Sequence, residues 1–241
     1  MLTDIAIVMW KELREIVFPD GRFHGGARNI FVFAAVVGLL FPLQAGPRWF
    51  TSWMTVQAAC FPVILVLNYS ADAFAGERER HTLETLLASR LSDTAILLGK
   101  IAAIVVYAWS FVIACQVVAV IALNLMYRDA GFMFYRPAIL LSILVISALA
   151  ALLLCTIGVV LSLTAPTVRA AGQRMLVPFL AMFVLPAAAP FVIAKLHWQQ
   201  PATLLTPGTI VVFVGIALAL LTAIVLAVGV TRFVRERMVL A

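Results

Sequence analysis

Long apolar runs alternate with short polar stretches along the chain. A helix needs roughly 20 apolar residues to cross about 30 Å of hydrocarbon, and six runs approach or exceed that length: 29–45, 49–71, 94–126, 137–164, 175–194 and 209–231. The first is short, bounded by Arg28 and Arg48, with Pro42 near its end. The third exceeds what a crossing requires and should tilt or protrude. Pro137 suits the first turn of the fourth, where its missing N–H costs nothing. The fifth contains Pro178, Pro186 and Pro190. Proline removes a helical hydrogen bond and crowds the preceding turn, which predicts a kinked or broken helix, with a short re-entrant piece near the outer surface as one form. Residues 3–18 instead show helical amphipathicity. Ile5, Met9, Trp10, Leu13, Ile16 and Val17 share one face, Lys11, Arg14 and Glu15 the other, and Glu12 the border. Thr3 or Asp4 can cap its start, and Pro19-Asp20-Gly21 ends it. Such a helix can lie flat on a membrane surface or pack as an ordinary cytoplasmic helix. The predicted fold is an all-α membrane protein: six transmembrane helices preceded by an amphipathic interfacial helix.

Composition supports lipid as the solvent. Charged residues make up 12% of the 241 residues and the mean hydropathy is +1.11; soluble domains carry roughly 25% charged residues. The net charge of +6 reads as a topology signal once it is mapped. With both termini cytoplasmic, only Arg48, Arg128, Arg136 and Lys195 of the 17 Lys and Arg residues fall outside. That bias satisfies the positive-inside rule and argues against a nucleic-acid partner. No signal-peptide pattern opens the chain, so the first crossing is expected to direct insertion into the cell membrane. Asp72 and Lys100 sit near cytoplasmic ends, where they are expected to reach the headgroups. The apolar cores otherwise lack charge, which disfavours an ion-coupled carrier. Cys60, Cys115 and Cys155 lie in apolar runs without metal-ligand spacing and read as packing residues.

The loop between the second and third crossings carries the densest chemistry. Residues 77–89 are mostly good helix formers. Leu83, Leu86, Leu87 and Leu91 cluster on one side, Glu77, Arg78, His81, Thr82 and Thr85 point elsewhere, and Arg80 and Glu84 can pair. Ser92 or Asp93 can cap the third crossing. A short helix with leucines and charges suits docking into a partner's groove; a solvated interfacial helix is the other reading the residues allow.

The run Gly76-Glu77-Arg78-Glu79-Arg80-His81-Thr82-Leu83-Glu84-Thr85-Leu86-Leu87, with Ser92 and then Ile96-Leu97-Leu98-Gly99-Lys100, resembles the signature of ABC-2 type permeases. That signature has an acidic–basic pair, a Thr-Leu-Glu triplet, two leucines, and a Gly-Lys entering the next membrane helix. The resemblance is detailed over about 25 residues and architectural elsewhere. Usual members carry glycine before the triplet, where this chain has His81. The resemblance implies a coupling helix at about 77–89 that seats on an ATPase through Glu77, Arg78, Glu79, Arg80, Thr82, Leu83, Glu84, Leu86 and Leu87. It implies an exporter permease without enzymatic activity of its own, with two copies of a cytoplasmic ABC ATPase that supply the ATP and Mg sites. A second permease chain, identical or similar, should complete the route. A haem-exporter B-like subunit of cytochrome c maturation shares this layout, and a non-transporting scaffold recruiting an ATPase is a further alternative. The expected organisation is an interfacial helix and loop at 1–28, a permease domain at 29–231 and a cytoplasmic tail at 232–241.

The chemistry missing from the chain agrees with a borrowed energy source. Gly99-Lys100 is followed by Ile101, and position 94 is Thr, so no phosphate-binding loop is formed. No cofactor or metal is expected on this chain. The polar residues Gln57, Asn68, Gln116 and Asn124 lie inside the crossings. They are candidates for lining a pathway, or for helix–helix hydrogen bonds. The loop at 165–174, with Pro166, Arg169, Gly172 and Arg174, reads as a positive-inside anchor or a second partner contact. His197 and Trp198 read as residues of the outer loop, the tryptophan as an interface anchor.

Overall fold

Backbone groups inside a bilayer find no water, so an apolar chain must close its hydrogen bonds within helices or a closed barrel. The computed structural model describes residues 2–18, 26–52, 54–82, 90–195 and 207–232, and it is helical with no strand among them. In chain order the helices are α1 (Leu2–Val17), α2 (Gly26–Ala45), α3 (Met54–Ala59), α4 (Leu65–Glu79), α5 (Asp93–Met126), α6 (Pro137–Thr164), α7 (Val168–Lys195) and α8 (Pro207–Arg232). Three segments within them, Asp93–Met126, Pro137–Thr164 and Gly208–Thr231, are each long and apolar enough to cross a membrane. His197, Trp198 and the 233–241 part of the expected tail lie outside the described residues.

α6 occupies the middle of the bundle, against α3, α4, α5, α7 and α8, while α1 and α2 pack on α5. Buried Ile101, Ile104, Val112 and Leu123 of α5 share one core with Ile139, Ile143, Leu154 and Val159 of α6, and with Val63, Val66 and Phe74 from the α4 region. In lipid, burying such side chains gains little over leaving them against acyl chains, so close packing decides association. Glycines permit it. A Cβ on Gly158 of α6 would lie 2.6 Å from the Cβ of Ser70 on α4, and one on Gly38 of α2 would lie 3.0 Å from the Cys115 carbonyl oxygen of α5.

Two elements depart from the sequence expectation. The second crossing is not one helix over 49–71. It begins as a 3-10 turn (Gly46–Phe50), continues as α3, passes through a second 3-10 turn (Phe61–Ile64) and only then becomes α4. Pro62 offers no amide hydrogen to an α-helical ladder, and the chain tightens instead: the amides of Cys60 and Val63 donate to Gln57 and Cys60 carbonyls three residues back, at 3.1 and 3.0 Å. Cys60 and Val63 are buried, so this irregular backbone is covered by protein, as lipid demands. α4 then runs to Glu79, well past the expected end. The fifth crossing departs from the broken form of its expectation. α7 is continuous from Val168 through Lys195 despite Pro178, Pro186 and Pro190. In an apolar solvent, leaving the helix would expose several unpaired groups, whereas passing through a proline forfeits one hydrogen bond. α7 also starts seven residues before the expected Met175.

At the end of the bundle opposite α1, polar side chains bind the connections. Trp49 Nε1 donates to the Tyr135 hydroxyl (2.9 Å), which donates to Gln116 Oε1 (2.8 Å). The Asn124 amide donates to the Met133 carbonyl (2.8 Å) and accepts from the Met133 amide (2.7 Å). Gly158→Val should part α4 from α6 and cost about 1–3 kcal/mol, as overpacking does. A lowered thermal midpoint of the detergent-solubilised protein would register it.

Candidate functional site

α1 meets α5 through one small residue and one charge. Val8 (4% exposed) lies over Gly99, where an added Cβ would stand 2.6 Å from the valine Cβ. One helical turn later Glu12 reaches the adjacent Lys100, with Oε1 2.9 Å from Nζ. The same ammonium donates to Glu77 Oε1 at 3.3 Å and lies 5.7 Å from the centre of the Phe74 ring. Lys100 is 2% exposed. Burying an ion costs several kcal/mol unless partners replace its water; here two carboxylates and an aromatic face do so. Lys11 adds a second cation, 3.6 Å from Glu12 and 3.2 Å from Glu15. Together these groups, with Asp72 and Arg80, line a charged cleft of about 500 Å³ between α1, α4 and α5.

Glu77 opens a run of four charged residues, each fastened to a different place. Arg78 donates to the carbonyls of Ala165 (2.5 Å) and Leu163 (3.0 Å), at the carboxyl end of α6. A helix leaves its last carbonyls unpaired and partially negative, so a guanidinium is favoured there. Glu79 Oε1 accepts from the amide of Val168, the first residue of α7, at 2.8 Å, where the dipole favours an anion. Arg80 grips Asp72 two turns back with both terminal nitrogens, at 3.3 and 3.2 Å. A Cβ at Gly76 would intrude on that carboxylate. The Asp72–Arg80 pair is about half exposed and contributes modestly; the other three contacts join separate helices.

The backbone explains why the run ends there. The His81 amide donates to the Arg78 carbonyl (3.1 Å) and the Thr82 amide to the Glu77 carbonyl (2.9 Å), the paired closing bonds of a Schellman motif. That motif requires a left-handed residue, and His81 has φ of 56°. Glycine serves this conformation without steric cost, which accounts for glycine at this place in the signature the sequence resembles. The Thr82 hydroxyl then bonds the Glu77 carboxylate. Burial alone would raise the Glu77 pKa, but the Thr82 hydroxyl and the Lys100 ammonium more than reverse it, holding the carboxyl below its ordinary 4.5.

These positions revise several expectations. Glu77, Arg78 and Glu79 complete α4, with Arg80 as its cap, rather than opening a separate helix. Arg80 pairs with Asp72; its expected partner Glu84 lies outside the described residues, as do Leu83, Leu86 and Leu87. Lys100 points into protein rather than to headgroups. Ser92 is the cap of α5, accepting from the Ala95 amide at 3.3 Å. On α1 the packed face centres on Val8 and Glu12, leaving Trp10 70% exposed, because Gly99 and Lys100 select those two residues. The signal for Glu12 was available as a carboxylate bordering an apolar face, and for Lys100 as the lone cation within a long apolar helix.

The polar residues of the crossings are not gathered into one site. Gln116 and Asn124 serve the connections described above. Asn68 is exposed on α4. Gln57 donates to the Phe183 carbonyl at 3.4 Å and lines an apolar cleft of about 670 Å³ between α3, α6, α7 and α8, with Ile146, Phe183, Val214 and Leu218 among its walls.

A family model described as ABC-2 family transporter protein matches residues 51–207. The chain belongs to this family. The matched span contains all four charges at 77–80, both helix ends they bind, and Lys100. The protein is therefore the membrane-embedded permease subunit of an ABC transporter, and family membership implies an ABC ATPase as partner. No curated relative matches the chain.

Lys100→Met should destabilise the protein by about 3–5 kcal/mol, since it strands two partly buried carboxylates; chemical denaturation in detergent measures this. His81→Gly should raise stability by about 1 kcal/mol through relief of the left-handed strain, read as a higher thermal midpoint. Because the Glu77 pKa is lowered on folding, its contribution is complete above 4.5 and disappears as pH falls toward its depressed folded value. The stability gap between the wild type and Glu77→Gln should hence be flat near neutrality and narrow in acid, a shape that titrated thermal melts resolve.

Proposed function

We propose that this permease works as an exporter, with the α1 end of the bundle and both termini in the cytoplasm of a cell-membrane protein. The family match carries the reading, and the positive charge on the stretches at that end supports the orientation. Two copies of an ABC ATPase, each holding ATP and Mg, dock beneath two permease chains. Residues 83–89 make the principal contact, with Leu83, Leu86 and Leu87 entering a groove on the ATPase and Glu84 at its rim. The residues just before them serve a different purpose from the one their sequence suggests: Glu77, Arg78, Glu79 and Arg80 anchor the docking segment to the permease, and Thr82 joins them through Glu77. The cleft near Gln57, apolar except for that side chain, supports an apolar or amphipathic cargo.

The division between anchoring and docking residues sets the experiment. Leu86→Glu combined with Leu87→Glu should abolish co-purification of the ABC ATPase while leaving the thermal midpoint of the permease unchanged. Undiminished capture of the ATPase by this double variant would overturn the assignment.

A further inference from the structure

The contact between Glu12 and Lys100 has no counterpart in the docking reading, because α1 lies before the matched residues 51–207. Its geometry is nevertheless continuous with the anchoring run. Glu12 on α1, Lys100 on α5 and Glu77 on α4 form one buried ionic chain, with Oε1–Nζ distances of 2.9 and 3.3 Å. Glu77 is one residue from Arg78, which holds the end of α6, and two from Glu79, which holds the start of α7. The side chains of Glu12 and Glu77 are 14% and 10% exposed, so water replaces neither contact cheaply. At the same place Val8 is seated on Gly99 with no room for a further carbon.

We propose that Glu12 is a positioning residue of the coupling machinery: through Lys100 it obliges α1 to move with the end of α4 when the ATPase displaces residues 83–89. This deepens the function proposed above and rests on it. A rigid helix attached only by apolar contact to α5 could slide along it, since such contacts are non-directional. An ion pair of fixed geometry resists sliding, and the shared ammonium transmits displacement of Glu77 to Glu12. Glu12→Gln removes the one carboxylate of α1 that meets Lys100, while Lys100 keeps Glu77, so the variant loosens one arm without emptying the joint.

The test uses the full-length permease with its ABC ATPase in lipid nanodiscs. Spin labels are placed through Trp10→Cys and Phe132→Cys, at sites 70% and 82% exposed. The native Cys60, Cys115 and Cys155 are buried and should stay unlabelled. The distance between the labels is measured without nucleotide and after trapping with ATP and vanadate. The parent should show a nucleotide-dependent shift; Glu12→Gln should lose it while retaining the ATPase, and Glu12→Asp should restore it in part. An equal shift in the parent and in Glu12→Gln overturns the inference and leaves the docking assignment standing. So does a parent that binds the ATPase and shows no shift. A parent that fails to bind the ATPase overturns the underlying function instead.

Discussion

A single buried ammonium group organises one end of this molecule. Lys100 sits in a helix that is otherwise apolar for most of its length, and its charge must be met by protein because almost none of it reaches solvent. Meeting it draws in a carboxylate from α1 and another from α4. Once Glu77 is fixed, helical geometry distributes its three successors around the axis of α4, and each finds a different neighbour. The apolar packing of the bundle supplies close contact without direction; the charges supply direction.

The helix ends give this arrangement its specificity. Arg78 meets the carboxyl end of α6 and Glu79 the amino end of α7. The two ends belong to one tight turn, so an Arg-Glu pair in that order matches the order of the partial charges facing it. Exchanging the two residues would place like against like at both sites. The alternating charges of the sequence are thus matched to backbone dipoles as well as to side chains, and the left-handed His81 turns the chain away immediately afterwards.

Much of the layout was legible from hydropathy alone. The limits of α5 and α6 follow from long apolar runs, with Ser92 capping the first and Pro137 opening the second, and the amphipathic pattern of residues 3–18 announced α1. The misread places share a cause: local rules were applied where the surroundings decide. Pro62 breaks its helix because neighbouring protein shelters the irregular turn, while the prolines of α7 leave theirs unbroken. The run at 77–80 reads in sequence as a docking surface, and its partners within the chain were not legible there because charge in sequence says nothing about which helix end will be nearby. Gln116 and Asn124 were open to two readings, and their hydrogen bonds go to the connections beside them.

The length of α5 has a mechanical meaning. At 1.5 Å per residue its 34 residues extend about 51 Å, against roughly 30 Å of hydrocarbon. The excess of about 20 Å is taken up by tilt or by a stem standing clear of the acyl chains, and Lys100 is less than two turns from the first residue of the helix. A single unbroken helix of that length is stiff along its axis, so a displacement at its charged end is carried to its far one.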